Sequence, residues 1–285
     1  MSEILIATDG SKASDETIKY GLDLAAALGY GVSAVYVADE PIEEGKYEPT
    51  PGEEALMNAV QEGKNRGIEV ERFVLFGAPA AEIVKKANEI QANAIVLGST
   101  MRTALAQWFL GSVAERVIKI AGCPVIVVRK SENGNSDGGV LNKMLIATDG
   151  SEANSYAVDA GLRLASALGT KVTAMSVNDT RDVPRTRAEE AKAEMNDRSK
   201  EAVADVMQKG SKYGINVDPL IENGIPHKEI AAVSGDYDMV VIGTLGRTGF
   251  FEAKLGSVAE KVIKFAKCPV MIVRANDHFA PDRSM

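Results

Sequence analysis

The sequence predicts an α/β protein made of two tandem, doubly wound domains. Short apolar segments rich in β-branched residues alternate with helical segments, a pattern typical of a parallel sheet covered by helices on both faces. The chain also repeats itself: residues 5–11 and 145–151 both read LIATDGS, and residues 111–129 recur as 256–274 with 14 of 19 positions identical. A repeat of this length indicates a duplicated domain and not a short-period solenoid.

The elements of the first copy follow from their patterns. Residues 3–8 form an apolar run and predict the first strand, and residues 12–29 then follow a helical period that ends at a glycine. The other predicted strands of this copy are residues 32–38, 70–76, 94–98 and 125–129. The other predicted helices are residues 53–66, 79–91 and 112–121.

The second copy repeats this order of elements. Its predicted strands are residues 144–148, 172–177, 216–221, 238–243 and 270–274. Its second helix is longer, about residues 186–213, and is rich in Ala, Glu, Lys and Arg. A polar, glycine-rich connector separates the copies, as flexible linkers do. We expect one domain over residues 1–130, a linker over 131–142, a second domain over 143–275 and a polar tail over 276–285.

Composition narrows the class of protein. The net charge of −8 argues against nucleic acid or an anionic membrane as a partner. The N-terminus lacks the basic and long apolar regions of a signal peptide, and no apolar run reaches membrane-spanning length. Cys123 and Cys268 occupy equivalent repeat positions outside any CxxC or Cys/His cluster, so we expect buried thiols and no zinc site. These features predict a cytoplasmic protein.

Two loops carry the residues that point to function, and both follow predicted strands. One is the Ala-Thr-Asp-Gly-Ser loop after the first strand, and the other is the glycine-rich segment after the fourth. Ligands bind open α/β sheets at the carboxyl ends of the strands, where the strand order reverses. These loop positions select the five-strand order 3-2-1-4-5, which brings Asp149 beside Gly243 and Gly246. Asp149 is then a candidate for binding ribose hydroxyls; the alternative is a turn residue that precedes Ser151 as helix N-cap.

The glycine-rich segment of the second copy predicts a phosphate site. Gly243 and Gly246 are followed nine residues later by Gly256 and Ser257, where a helix is predicted to start. Glycine lets backbone amides approach a ligand closely, and a helix start adds unpaired N–H groups and partial positive charge. The alternatives are plain turn glycines and a Ser257 that acts only as an N-cap.

The first copy has the same frame with one defect. Gly98, Gly111 and Ser112 are in place, but Met101 stands where the second glycine is expected. If that position requires a positive φ, a residue with a Cβ costs roughly 1–2 kcal/mol. We therefore expect the first copy to bind nucleotide more weakly than the second, or not at all.

In these motifs the chain resembles a tandem universal stress protein over residues 1–130 and 143–275. The family's ATP-binding pattern is G-x2-G-x9-G-[S/T], which the second copy matches fully and the first matches except at Met101. The resemblance implies bound ATP with a divalent ion such as Mg²⁺ on its phosphates. It also implies that Asp149 contacts the ribose and that Val177 lies near the adenine. The residues lining the phosphates and sugar would be Thr148, Gly243, Gly246, Gly256, Ser257 and Val258, and the first-copy counterparts would be Asp9, Val37, Gly98, Gly111 and Ser112.

The resemblance also concerns assembly. Dimers of this family often pair through the fifth strand, so residues 125–129 and 270–274 would pair within one chain as a pseudo-dimer. Such pairing covers two apolar edge strands, which are otherwise a liability. Whether two chains form a homodimer is left open by the sequence.

Three functions are compatible with these residues. The leading one is an ATP-binding regulatory or stress-response protein. The second is a slow ATPase or self-phosphorylating enzyme with Ser257 as acceptor, although no general base stands out and the GxxxxGK[ST] pattern is absent. The third is a scaffold that ignores nucleotides. The choice among ATP, AMP and cyclic nucleotides also stays open.

Overall fold

The computed structural model describes residues 2–11, 14–38, 49–99, 110–129, 141–182, 188–245, 255–275 and 277. Within it the chain forms two compact units, one up to residue 140 and one over Leu141–Asp277. Each unit is described by itself below.

The N-terminal unit is a parallel sheet with flanking helices. Its strands are β1 (Glu3–Thr8), β2 (Gly31–Ala38), β3 (Val70–Phe76), β4 (Ala94–Gly98) and β5 (Val125–Val128). Its helices are α1 (Ser14–Leu28), α2 (Pro51–Asn65), α3 (Pro79–Glu89) and α4 (Ser112–Ile120). Parallel pairing gives the order β3-β2-β1-β4-β5, which confirms the predicted topology.

The C-terminal unit repeats this plan. Its strands are β6 (Lys143–Ala147), β7 (Lys171–Asp179), β8 (Val217–Gly224), β9 (Met239–Gly243) and β10 (Val270–Val273). Its helices are α5 (Glu152–Leu168), α6 (Ala188–Lys212), α7 (Pro226–Val233) and α8 (Ser257–Phe265). Parallel pairing gives the order β8-β7-β6-β9-β10. The strand that carries the Thr-Asp-Gly-Ser turn is therefore the direct neighbour of the strand that carries the glycine-rich segment.

The core of each unit surrounds its first strand. Leu5 and Ile6 of β1 are fully buried, as are Leu145 and Ile146 of β6. Consecutive residues of a strand face opposite sides of the sheet, so both faces must be covered. The helices do this in neighbouring pairs, α1 with α2 and α3 with α4 in one unit, and α5 with α6 and α7 with α8 in the other.

Local signals explain where the structure departs from the predicted bounds. Helix α2 begins at Pro51, before the predicted residue 53, because the Thr50 hydroxyl accepts from the Glu53 amide while the Glu53 carboxylate accepts from the Thr50 amide. Strand β8 continues past the predicted residue 221 because its pairing with β7 runs on to Gly224.

Candidate functional site

The turn after β6 is held together by its own side chains. The Thr148 hydroxyl accepts from the Gly150 amide at 3.2 Å, and Asp149 Oδ1 accepts from the amide and hydroxyl of Ser151 at 3.0 and 2.7 Å. Gly150 has φ +74°, a conformation that favours glycine. Ser151 is the N-cap of α5, as the turn interpretation predicts. The half-buried Asp149 carboxylate is thus fixed at the carboxyl edge of the sheet, where its binding to ribose stays a prediction.

The N-terminal unit has the same turn after β1. The Thr8 hydroxyl accepts from the Gly10 amide at 3.2 Å, and Asp9 Oδ1 accepts from the Ser11 amide at 2.9 Å. Asp9 is exposed, whereas Asp149 is half-buried. The repeated seven-residue segment therefore forms the same turn in both units.

The segment between β9 and α8 positions the candidate phosphate groups. Gly243 is the last residue of β9, and the next residue, Thr244, donates its amide to the Val273 carbonyl at 3.1 Å. The Gly256 amide then donates to the Thr244 carbonyl at 2.8 Å, which brings the start of α8 back to the end of β9. Nine residues separate Gly246 from Gly256. Gly246 lies outside the described residues, as does Met101 in the first copy.

Gly256, not Ser257, is the N-cap of α8. Because glycine has no side-chain acceptor, the cap makes no side-chain hydrogen bond to the first turn. Ser257 is the first helical residue and is exposed, and Val258 is half-buried. The alternative that Ser257 serves as the N-cap is therefore wrong. Backbone N–H groups at such a helix start attract anions.

The corresponding segment of the N-terminal unit is similar but looser. Gly98 ends β4, Gly111 is the N-cap of α4 and the exposed Ser112 is its first residue. The Gly111 amide donates to the Ser99 carbonyl at 3.2 Å. A Cβ built on Gly111 would lie 3.8 Å from that carbonyl oxygen, whereas a Cβ on Gly256 would lie 2.9 Å from the Thr244 oxygen. The sequence gives no sign of this difference, because both positions read Gly-Ser-Val-Ala-Glu.

Val177 and Val37 lie half-buried near the carboxyl ends of β7 and β2. The residues next to Val177 form a buried polar network with α6 that sequence reasoning missed. The Ser199 hydroxyl donates to Asn178 Oδ1 at 2.7 Å and accepts from the Ser176 hydroxyl at 3.2 Å. These bonds fix α6 against the strand that carries the expected adenine contact.

Asn154 is a further residue at this edge that sequence reasoning missed. It lies in the first turn of α5, is 4% exposed, and donates from Nδ2 to the Ala147 carbonyl at 3.2 Å. A Cβ on Gly243 would lie 3.1 Å from the same nitrogen. The only signal in the sequence is an amide side chain three residues after the N-cap serine.

Cationic groups surround the start of α7 at the same edge. The pKa of His227 is lowered, first by burial and then by the charges of Lys261, Arg181 and Lys228, while Asp179 opposes this shift. The pKa of Asp179 is itself lowered, chiefly by its hydrogen bond from Arg181. Arg181 is paired with Asp179, and Glu229 lies in the first turn of α7, so charges of both signs stand near the ends of β7 and β8.

The described ranges contain neither a cluster of metal ligands nor a membrane-spanning helix. No group of three or more His, Cys, Asp or Glu in those ranges is placed to hold a metal ion. Within the same ranges, none of the helices has the length and apolar character needed to cross a bilayer.

The structure thus brings together the sequence-predicted residues of the C-terminal unit. These residues lie at the carboxyl edge of β7, β6 and β9 or at the start of α8. They are Val177, Thr148, Asp149, Gly243, Gly256, Ser257 and Val258. Only Gly246 of the predicted set falls outside the described residues.

Comparison with known proteins matches both units. The model of the universal stress protein family matches residues 1–129 and 141–274. Universal stress protein MJ0531 of Methanocaldococcus jannaschii is 40% identical over 139 residues, covering 45% of this chain and 82% of that protein. Universal stress protein Rv2005c of Mycobacterium tuberculosis is 26% identical over 292 residues, covering 95% and 96% of the two chains. A universal stress protein structure from Archaeoglobus fulgidus superimposes with a TM-score of 0.70 at 23% identity over 95% of this chain and 98% of that one.

Proposed function

Because the chain belongs to the universal stress protein family, we propose that it is a nucleotide-binding regulatory protein whose C-terminal unit holds ATP. The observation that carries the proposal is the start of α8. Gly256 caps that helix without a side-chain acceptor, and its amide donates to the Thr244 carbonyl. The backbone amides of the first turn can therefore bind an anion beside the turn after β6.

Each predicted residue has a role in this proposal. Asp149 accepts hydrogen bonds from the ribose hydroxyls, and Val177 contacts the adenine. Thr148 and Gly243 line the sugar and the α-phosphate, because both stand at the ends of the paired strands β6 and β9. Gly246, Gly256, Ser257 and Val258 surround the remaining phosphates.

A divalent ion would be held mainly by the phosphates. The described residues contain no metal-binding cluster of their own, and Mg²⁺ commonly binds through nucleotide phosphates and water with few protein ligands. Cys123 and Cys268 are buried and form no disulfide, which suits the reducing cytoplasm in which we propose the protein acts.

The N-terminal unit is proposed to bind nucleotide weakly or not at all. Asp9, Val37, Gly98, Gly111 and Ser112 keep the frame of the site, but the start of α4 is held less closely than the start of α8. The departure at Met101 adds to this difference. This unit would then serve mainly as a structural partner.

The domain limits and the assembly also stay proposals. We propose domains at residues 1–130 and 143–275, joined by the linker 131–142 and followed by the tail 276–285. We propose that β5 and β10 pair within the chain, since both are short strands of Val, Ile and Met, and that a homodimer of whole chains is possible. Slow amide hydrogen exchange along both strands tests their pairing. Native mass spectrometry, which gives the number of chains in the assembly, tests the homodimer.

Isothermal titration with ATP and Mg²⁺ tests the main proposal. We expect one ATP per chain and a raised unfolding temperature, because a ligand that binds only the folded state stabilises it. Absence of binding would favour the nucleotide-independent scaffold, and two equal sites would contradict the assignment to the C-terminal unit. Titration with AMP and cyclic AMP in place of ATP identifies the preferred nucleotide.

The exposed hydroxyl of Ser257 keeps a slow enzyme as the second candidate. It stands where the terminal phosphates are expected, so it is the acceptor to test for self-phosphorylation. Incubation with ATP and Mg²⁺ followed by mass measurement of the protein, in wild type and Ser257→Ala, decides this. Phosphate on the wild type alone, or ADP release that Ser257→Ala abolishes, would support an enzymatic function. If neither is observed, that function is excluded.

A further inference from the structure

The side-chain oxygen of Asn154 is buried without a partner. Its nitrogen donates to the Ala147 carbonyl, but Oδ1 has no hydrogen-bond partner among the residues that the structure describes. With the side chain 4% exposed, bulk water does not satisfy this atom. An unpaired buried acceptor destabilises the folded state, and such groups call for a specific explanation.

The position of Asn154 connects this atom with the proposed site. A Cβ on Gly243 would lie 3.1 Å from Asn154 Nδ2 and 3.4 Å from the Leu245 carbonyl oxygen. Ala147 ends β6 and Gly243 ends β9, so the amide group lies where these two strands meet at their carboxyl ends. It stands between the turn that carries Asp149 and the segment that leads to α8.

The N-terminal unit has an unpaired polar atom at the same place. Thr17 of α1 is 1% exposed, and its hydroxyl has no hydrogen-bond partner within the described ranges. A Cβ on Gly98, the last residue of β4, would lie 3.2 Å from that hydroxyl oxygen. Ser14, which matches Asn154 in the repeat, donates instead to the Ser11 carbonyl. Different residues, one helical turn apart, thus place a polar side chain beside the same glycine in both units, and each of these side chains has an oxygen without a partner in the described ranges.

We propose that Asn154 is a ligand-binding residue of the C-terminal unit whose Oδ1 accepts a hydrogen bond from an O–H group brought by the bound nucleotide. The inference rests on the proposed function. A carboxamide oxygen only accepts, so an anionic phosphate oxygen cannot satisfy it. A nucleotide with its cation brings two kinds of O–H donor, its ribose hydroxyls and the water molecules bound to that cation.

Asn154→Leu tests the proposal because leucine has a similar size and no polar atoms. The matched control is Ser155→Ala, in the same helical turn, where an exposed hydroxyl donates to the Glu152 carbonyl. Without nucleotide, we expect Asn154→Leu to change the unfolding temperature little, because removal of the unpaired acceptor offsets the loss of the hydrogen bond to the Ala147 carbonyl. With ATP, we expect the affinity to fall about threefold to tenfold, the value of one hydrogen bond, while Ser155→Ala binds as the wild type does.

Modified ligands identify the donor. If a ribose hydroxyl donates, 2′-deoxy-ATP or 3′-deoxy-ATP binds wild type and Asn154→Leu equally, whereas ATP does not. If a cation-bound water donates, the difference persists with both deoxynucleotides and disappears when EDTA removes Mg²⁺. A difference that is equal with all ligands and conditions would contradict an O–H donor from the nucleotide.

The remaining outcomes separate this inference from the function itself. If wild type and Asn154→Leu bind ATP equally well, the role of Asn154 is wrong and the nucleotide site stands. If the wild type binds no adenine nucleotide, both proposals fall. A crystal structure in which the same water contacts Oδ1 with and without ATP would also overturn the role of Asn154.

Discussion

The amide of Gly256 donates to the carbonyl oxygen of Thr244 at 2.8 Å, and a Cβ on Gly256 would lie 2.9 Å from that same oxygen. The N-cap of α8 is therefore set against the first residue after β9 with no room for a side chain. The matching pair in the N-terminal unit, Gly111 and Ser99, is farther apart, with the hydrogen bond at 3.2 Å. Two helix starts that both read Gly-Ser-Val-Ala-Glu are thus held at different distances from the residue that follows the preceding strand.

Gly256→Ala should weaken both stability and ATP binding. The new methyl group would press on the backbone carbonyl of Thr244, and overpacking of this kind typically costs about 1–3 kcal/mol. Displacement of the helix start should also lower ATP affinity. Thermal unfolding and titration calorimetry measure the two effects.

Gly111→Ala is the matched control for this change. Its Cβ would make an ordinary 3.8 Å contact with the Ser99 carbonyl oxygen, so we expect a change within about 0.5 kcal/mol and unchanged ATP stoichiometry. Equal effects of the two substitutions would contradict a special role for the start of α8.

Asp149→Asn should lower ATP affinity roughly tenfold, since hydrogen bonds to a charged group are worth about 1.5–3 kcal/mol and asparagine keeps one acceptor oxygen. That oxygen can still accept from Ser151, so the turn and the unfolding temperature should change little. Asp9→Asn changes the equivalent turn and should leave ATP binding intact. If Asp9→Asn has the larger effect on affinity, the nucleotide lies in the N-terminal unit.

Ser199→Ala should destabilise the C-terminal unit by about 1–3 kcal/mol, because it leaves Asn178 Oδ1 buried without this donor. Ser211→Ala is the control on the same helix, where an exposed hydroxyl donates to the Met207 carbonyl. Denaturant unfolding of both variants measures the difference. Equal midpoints would show that the network around Asn178 contributes nothing to the docking of α6.

Cys268 should resist alkylation in the folded protein. Burial is the main cause that raises its pKa from 9.0 to about 12, so at pH 8 only about one thiol in ten thousand is the reactive thiolate. Mass spectrometry after iodoacetamide treatment should show no label on Cys268 until guanidinium unfolds the chain. Rapid labelling of the folded protein would contradict the burial of this thiol.

The same shift implies a pH dependence of stability. The folded state holds the Cys268 proton more tightly than the unfolded state, so its contribution is complete below the ordinary thiol pKa of 9.0 and is lost as the pH rises toward about 12. Cys268→Ala should show a smaller fall in unfolding free energy between pH 8 and pH 10 than the wild type.

The duplication, the alternation of elements and the strand order follow from the amino-acid sequence alone. The repeated LIATDGS segment and the glycine-rich segments mark the ends of strands, and ligand-binding loops at strand ends require strands one and four to be neighbours. The sequence also identified most of the candidate site, because Thr-Asp-Gly-Ser turns and glycine-capped helix starts are local structures that a few adjacent residues encode.

Only the tertiary structure decided which of these residues are held tightly and which other residues join them. The contacts of Asn154 with Ala147 and Gly243, and of Ser199 with Asn178, join residues on separate elements. The difference between Gly256 and Gly111 amounts to less than one ångström between two helix starts that both read Gly-Ser-Val-Ala-Glu. Such distances depend on how whole helices and strands pack, and local sequence patterns do not encode that packing.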